Sequence, residues 1–290
     1  MGTKATCLRM IEALGSRVDL VVTLDDRADG RSRRADIVAA ARKNGVRVEV
    51  AANASDAYSL IVASASDVVF VAGWYWIIPD DVLVSVPHGF VGVHYSDLPR
   101  YRGSAPVVWA MINGEKRIGY SIFRLTTEMD EGPVAAQGFV DNLPEDTIAT
   151  ILDKLDASSL TRLSEISSAI ADGTHAFSEQ PLTGASYAGA RHPRDGRIDW
   201  TRPARVIERF VRAQTRPYPG AFTTLDGRAI RIWSARADTD ARYDGLPGHV
   251  LRIRNGHPVI ACGERSGLVL EEFEAEEDVL WNLARTRFDP

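Results

Sequence analysis

The run Asp67-Val68-Val69-Phe70-Val71-Ala72 constrains this chain more than any other, because it is apolar on both faces and lies among stretches of helical spacing. A strand buried on both sides needs helices on each face of its sheet, as in mostly parallel α/β sheets. The same alternation fills the first half of the chain. Leu8, Ile11 and Leu14 recur at helical spacing and lead into the Val and Leu run from Val18 to Leu24. Residues 34–44 read as a helix stopped by Gly45, with a strand at 46–50, and residues 55–63 read as a helix before the strand at 67–72. A doubly wound domain normally opens on a strand, yet this sequence runs from Met1-Gly2-Thr3-Lys4 straight into its first helix. Losing a central strand would orphan backbone groups, so the expectation is a native start upstream rather than a deleted strand.

Val91-Gly92-Val93-His94 is the next strand, and residues 105–113 form a helix with Pro106 in its first turn and Asn113-Gly114 at its end. Strands follow at 120–125 and 134–140, then a long helix at 146–171. The stretch from Thr174 to Ala190 lacks periodicity and carries Pro181, Gly184 and Gly189, which marks a linker. After a helix at 203–213, several short strands separated by Gly-rich turns suggest a small antiparallel β-barrel. The expected fold is therefore a Rossmann-like, mostly parallel α/β sheet with its first strand apparently missing, followed by an OB-like barrel. The expected boundaries are 1–178, a linker at 179–200, and 201–290.

No apolar run approaches the roughly 20 residues of a membrane span, and no export signal is evident, so the cytoplasm is the expected location. Cys7 and Cys262 have no metal-type spacing and read as free, packed thiols. A net charge of -5 gives no general attraction to a polyanion. The short basic clusters Arg31-Ser32-Arg33-Arg34 and Arg252-Ile253-Arg254 read as solvated surface.

His94 ends a parallel-type strand, where open α/β sheets bind ligands. His88, His175, His192, His249 and His257 fall in turns, the linker or the second unit. Taken alone, His94 is either a base or a satisfied core residue. Asp130 precedes Gly132 in a loop between two strands and is either a turn residue or the carboxylate that orients the histidine. Zinc-type spacing and a Gly-rich phosphate loop are both absent from the sequence.

The series His94-x-Ser96-x-Leu98-Pro99-x-Tyr101-Arg102-Gly103, Pro106-x-x-Trp109, Asn113-Gly114-Glu115, Gly119 and Asp130-x-Gly132 resembles the folate-dependent formyltransferase family of methionyl-tRNA and amino-sugar formyltransferases. The likeness extends to Gly73-Trp74-Tyr75-Trp76-Ile77-Ile78-Pro79, to Asp195 through Trp200, and to Arg212 through Phe222. It implies 10-formyltetrahydrofolate as donor, His94 as base for an acceptor amine, and Asp130 as its support. Where the family carries an oxyanion-stabilising asparagine, this chain has Gly92. Losing one such donor costs on the order of a hundred- to thousandfold in turnover.

By the same resemblance, Trp76, Ile77, Ile78, Thr127 and Glu128 border the pterin, with core packing as the alternative for Ile77 and Ile78. Ser96, Tyr101 and Arg102 fall to the acceptor, and Arg102 either faces an anionic group or makes a structural salt bridge. The expected partner is a small-molecule amine, such as an amino-sugar nucleotide or an N-hydroxyornithine-type precursor. Nucleic acid, membrane and metal are not expected, and a homodimer is left open. Two alternatives remain: a weakened or altered-chemistry member that binds folate or another ligand, motivated by Gly92, and a methionyl-tRNA formyltransferase.

Overall fold

The computed structural model describes residues 1–26, 32–238, 242–275 and 286–289. Two compact units divide the chain. The first comprises Met1–Gly103, Gly119–Val140 and Asp153–Tyr187, and the second comprises Ser104–Ile118, Asp141–Leu152 and Ala188–Pro290.

In the first unit, α1 (Ala5–Leu14), β1 (Leu20–Leu24), α2 (Arg34–Lys43), β2 (Arg47–Ala51), α3 (Ala54–Ser64) and β3 (Val69–Val71) alternate as the apolar pattern requires. The short α4 (Asp80–Leu83), β4 (Phe90–His94) and β5 (Arg102–Gly103) come next. Further on in the chain come α5 (Pro106–Asn113), which belongs to the second unit, then β6 (Arg117–Arg124), β7 (Val134–Asp141), α6 (Ile148–Ala171) and β8 (Tyr187–Ala188), which lie mainly or partly in the first. Neighbouring residues on the strands point to opposite cores. Val21 and Val91 face a cluster with Ile11, Ile37 and Leu163, while Val22 and Phe90 face another with Tyr58, Ile61 and Ile78. Such strands are apolar on both faces because helices cover both.

β1 and β2 pair in parallel, and β3-β4-β6-β7 form a second sheet. Only β3 and β4 are parallel there, since β4 runs antiparallel to β6. The unit therefore joins a parallel pair to a mixed sheet and is not mostly parallel. Met1 and Gly2 run between β1 and β3 and link the two sheets: the Gly2 amide donates to Val22, and the Ala72 amide donates to Met1. A Cβ on Gly2 would fall 2.0 Å from the Ala72 carbonyl, so only glycine lets the backbones meet this closely.

The second unit holds α7 (Ala204–Arg212) and strands β9 (Ala221–Leu225), β10 (Arg228–Asp238), β11 (Val250–Arg254), β12 (His257–Cys262) and β13 (Ser266–Glu274). The expected OB-like barrel is not formed. The strands make one sheet in the order β11-β12-β13-β10-β9, and among the described residues its edges do not close on each other. Each edge is capped separately: the Ile198 amide donates to Phe222 on β9, and the Val250 amide on β11 donates to Thr286. The apolar face is covered by Ala204, Ile207 and Val211 of α7 packed over Ile230, Ile232, Ile260 and Leu270. A helix laid on an open sheet buries that face without closure.

Both cysteines are free and buried. Burial raises the Cys7 thiol and pushes Cys262 up to about 12. The basic clusters are paired rather than isolated. Arg33 meets Asp36, Arg34 meets Asp25, and Arg252 and Arg254 converge on the fully buried side chain of Asp238. Arg31 lies outside the described residues. Among the described residues, no helix is long and apolar enough to cross a membrane, and no group of His, Cys, Asp or Glu is arranged to hold a metal ion.

Candidate active site

His94 is the last residue of β4, with Ser121 of β6 as its register partner. Its ring meets Phe123 edge-on at 6.3 Å, and 11% of the side chain stays accessible. Nδ1 lies 3.5 Å from Asp130 Oδ2, and Nε2 lies 2.9 Å from the Tyr101 carbonyl. A carbonyl only accepts, so Nε2 carries a hydrogen in this arrangement and Nδ1 is the nitrogen turned to the carboxylate.

Asp130 has a left-handed φ of +57°. That conformation is uncommon outside glycine, aspartate tolerates it better than most residues, and here several contacts fix it. The Gly103 amide donates to its Oδ2 at 2.7 Å, and Gln180 Nε2 donates to its carbonyl at 2.7 Å and to that of Gly132 at 2.8 Å. At Gly132 a Cβ would lie 1.8 Å from the Arg124 carbonyl, so the Asp-x-Gly spacing is required by the turn as well as by the carboxylate. Gln180 Oε1 accepts from Arg102 Nε at 3.1 Å and Nη2 at 2.8 Å. Arg102 Nη1 pairs with Glu131 at 2.8 Å, and the Tyr187 hydroxyl donates to the same Glu131 oxygen at 2.6 Å.

Of the two roles open to Arg102, the structure shows the salt bridge, with the side chain buried. Ser96 is buried and donates to the Arg100 carbonyl at 2.6 Å. Tyr101, at a left-handed φ of +54°, holds its carbonyl on His94 while its amide donates to Ser186 Oγ at 2.9 Å. The loop is tied from below by Ser121 and Gln137: the Leu98 amide donates to Ser121 Oγ at 3.1 Å, and Gln137 Nε2 donates to the Leu98 carbonyl at 2.8 Å.

Gly92 lies two residues before His94 on the same strand face. A Cβ there would meet Leu125 Cδ2 at 3.2 Å and Phe123 Cε1 at 3.5 Å, so apolar side chains close the space beside the histidine. Leu125 packs on the cluster that contains Ile78. Ile78 is core, whereas Trp76 and Ile77 are exposed, Ile77 to 83%. Trp76 leans on Trp74 with ring centres 5.0 Å apart, and the Tyr58 hydroxyl donates to the Ile77 carbonyl at 2.9 Å. Thr127 and Glu128 are exposed on the loop before Asp130.

The structure thus brings Asp130 and Tyr101 onto the His94 imidazole, sets Gly92 beside Phe123 and Leu125, turns Ser96 and Arg102 inward, and leaves Trp76 and Ile77 exposed. Sequence reasoning missed Gln180, Ser186, Tyr187 and Leu125. The first three sit in the aperiodic stretch read as a linker, where amide and hydroxyl side chains carry no periodic signal.

Residues 6–165 match the family model described as Formyl transferase, and residues 191–280 match Formyl transferase, C-terminal domain. The chain belongs to the formyl transferase family. It is 33% identical over 273 residues to a methionyl-tRNA formyltransferase of Burkholderia multivorans, covering 89% of this chain and 83% of that one. Identity is 34% over 285 residues to the corresponding protein of Anaeromyxobacter dehalogenans, covering 95% and 91%.

Among solved structures, the fold is similar to an N-formyltransferase from Helicobacter canadensis in complex with folinic acid and dTDP-3-aminofucose, with TM-score 0.68, 14% identity and 93% and 97% coverage. It is also similar to HypX from Aquifex aeolicus in complex with tetrahydrofolic acid, with TM-score 0.65, 19% identity and 90% of this formyl transferase covered. The chain spans 45% of that HypX chain.

Proposed function

We propose that this formyl transferase moves the formyl group of 10-formyltetrahydrofolate to the amine of a small metabolite, an amino-sugar nucleotide or an N-hydroxyornithine-type amine. The approach of Asp130 to His94 Nδ1 at 3.5 Å, at the C-terminal end of a sheet strand, carries the reading. In the reaction the acceptor nitrogen bonds to the formyl carbon and the bond from that carbon to N10 of the folate breaks. As the acceptor amine replaces the Tyr101 carbonyl, the ring hydrogen shifts from Nε2 to Nδ1, which faces Asp130, and the bared Nε2 takes the amine proton and returns it to N10. Asp130 holds the ring in place through the transfer. Because Nε2 faces the Tyr101 carbonyl, the acceptor amine displaces that carbonyl as it binds, which makes Tyr101 the acceptor-side residue of the loop. Exposed Trp76 and Ile77 offer an apolar face suited to a flat heterocycle, with Thr127 and Glu128 at its border.

Gly92 supports a slower variant of this chemistry, because neither glycine nor the neighbouring Leu125 and Phe123 supplies a side-chain hydrogen bond to a tetrahedral oxyanion. A second reading, formylation of methionyl-tRNA, is favoured by the names of the relatives at 33 and 34% identity. The net charge of -5 argues against it, since tRNA binding relies on neutralising phosphates.

Incubation with 10-formyltetrahydrofolate and a panel of amines, or with methionyl-tRNA, is expected to release tetrahydrofolate only with a small amine. Release with methionyl-tRNA alone would establish the second reading. Folate binding with no release for any acceptor would show a weakened or altered-chemistry member of the family.

A further inference from the structure

We infer that Gln180 is a positioning residue for Asp130, and that the stretch from Ser178 to Tyr187 is a strap that sets both loops around His94. This deepens the formyl-transfer reading and rests on it for its kinetic consequences. All four hydrogen-bonding positions of the Gln180 amide are used in one orientation. Nε2 donates to the carbonyls of Asp130 and Gly132, and Oε1 accepts from two nitrogens of Arg102. Reversing the amide would set its oxygen against two carbonyls and its NH2 against a guanidinium, so the orientation is determined by its partners. Arg102 is locked in turn by Glu131, the residue after Asp130. The carboxylate is therefore held at a left-handed φ by a ring of contacts that returns to its own loop.

The strap begins where Ser178 exchanges backbone hydrogen bonds with Val134. It ends on the other loop. Ser186 donates its amide to Pro99 at 3.1 Å, accepts the Tyr101 amide on Oγ at 2.9 Å, and accepts the Arg102 amide on its carbonyl at 2.8 Å. One segment thus grips the loop whose carbonyl faces His94 Nε2 and the loop whose carboxylate faces Nδ1. Displacement of a reacting group by about 1 Å can cost about a hundredfold in rate. A side chain that fixes Asp130 therefore acts on turnover without touching substrate.

The Gly103 amide, which donates to Asp130 Oδ2 at 2.7 Å, reports on the carboxylate's position without any reaction. In Gln180→Leu, exchange of the Gly103 amide, read by NMR, is expected to accelerate about tenfold or more, while the amides of β4 keep their protection. Gln180→Glu keeps an acceptor for Arg102 but removes both donors, and it is expected to accelerate Gly103 exchange as well. Ser186→Ala, which removes only the acceptor for Tyr101, should leave Gly103 protected.

In turnover, Gln180→Leu is expected to lower kcat about tenfold with the donor KM within about twofold, and to change kcat less than about twofold in an Asp130→Asn background. Unchanged Gly103 exchange in both Gln180 variants would overturn the proposal, as would equal losses of kcat with and without Asp130. If the wild type transfers no formyl group yet Gly103 exchange responds as expected, the positioning stands and the formyl-transfer reading falls.

Discussion

The loop that carries Asp130 and the segment that carries Trp76 differ in how much of their hold is polar. The first is fixed by directed polar contacts: a backbone amide on the carboxylate, an amide side chain on two carbonyls, and a buried guanidinium closing the ring. The second presents exposed apolar side chains over a core built from Ile78, Phe90 and Val71. Polar contacts specify angles and distances, whereas apolar burial specifies area and tolerates sliding. The proton-transfer pair proposed for His94 and Asp130 needs the former, and the flat-ligand surface proposed for Trp76 and Ile77 needs mainly the latter. Gly92 and Leu125 lie at the junction, where an apolar contact closes the space that a side chain at position 92 would enter.

The largest effect expected breaks the polar side of this contrast. His94→Ala should lower kcat by about a hundred- to ten-thousandfold, and Asp130→Asn by a smaller factor, with the donor KM nearly unchanged. Tetrahydrofolate release under saturating donor measures both, and retention of wild-type kcat in His94→Ala would remove the histidine from the mechanism.

Next is the junction. Gly92→Asn places its Cβ 3.2 Å from Leu125 Cδ2, so Leu125 must give by a few tenths of an ångström, and the single variant should gain little turnover while that contact stands. Combining it with Leu125→Ala frees the space and is expected to raise kcat by up to about a hundredfold as the amide reaches the oxyanion. A double variant no faster than wild type would show that the chemistry has been rebuilt around glycine.

These variants separate what was readable in the sequence from what was not. His94 and Asp130 were singled out through the family resemblance, since spacing alone left each with a structural alternative, and the structure sets them 3.5 Å apart. The coupling of Gly92 to Leu125 was not legible, because it depends on the antiparallel register that sets Gly92 opposite Phe123. Gln180 was invisible for a related reason: it acts from an aperiodic stretch 50 residues beyond Asp130. In the second unit, the strands were located from their alternation, yet alternation alone does not say whether edges close. There α7 covers the apolar face and separate segments cap the two edges, so an open sheet resulted where a barrel was expected. The buried pairing of Arg102 was undecidable from charge alone, since guanidinium serves ligands and salt bridges equally well.

On the apolar side the effects should be milder and fall on binding. Trp76→Ala removes one aromatic contact worth about 0.5–1.5 kcal/mol, which predicts a donor KM raised by about two- to tenfold with kcat within about twofold. Ile77→Ser should act in the same direction more weakly. A drop in kcat without a change in KM would mean that this segment orients the reacting group rather than receiving the donor.

The smallest effect tests what holds that surface in place. Tyr58 is buried, accepts the Trp74 indole N–H at 3.1 Å and donates to the Ile77 carbonyl at 2.9 Å. Tyr58→Phe removes both contacts and should cost about 0.5–1.5 kcal/mol per hydrogen bond, read as a lower thermal midpoint at neutral pH. Burial raises the Tyr58 hydroxyl above its ordinary value of 10, more than the indole N–H lowers it. The folded state therefore holds this proton more tightly than the unfolded state does, so the contribution is intact below about pH 10 and is lost as pH rises through the raised value. Thermal midpoints of wild type and Tyr58→Phe, followed from about pH 8 to 11.5, should differ by a constant amount below about pH 10 and converge above it. A gap that stayed constant through the alkaline range would show that the hydroxyl proton is not what ties the Ile77 carbonyl down, and that the segment is held by its apolar contacts alone.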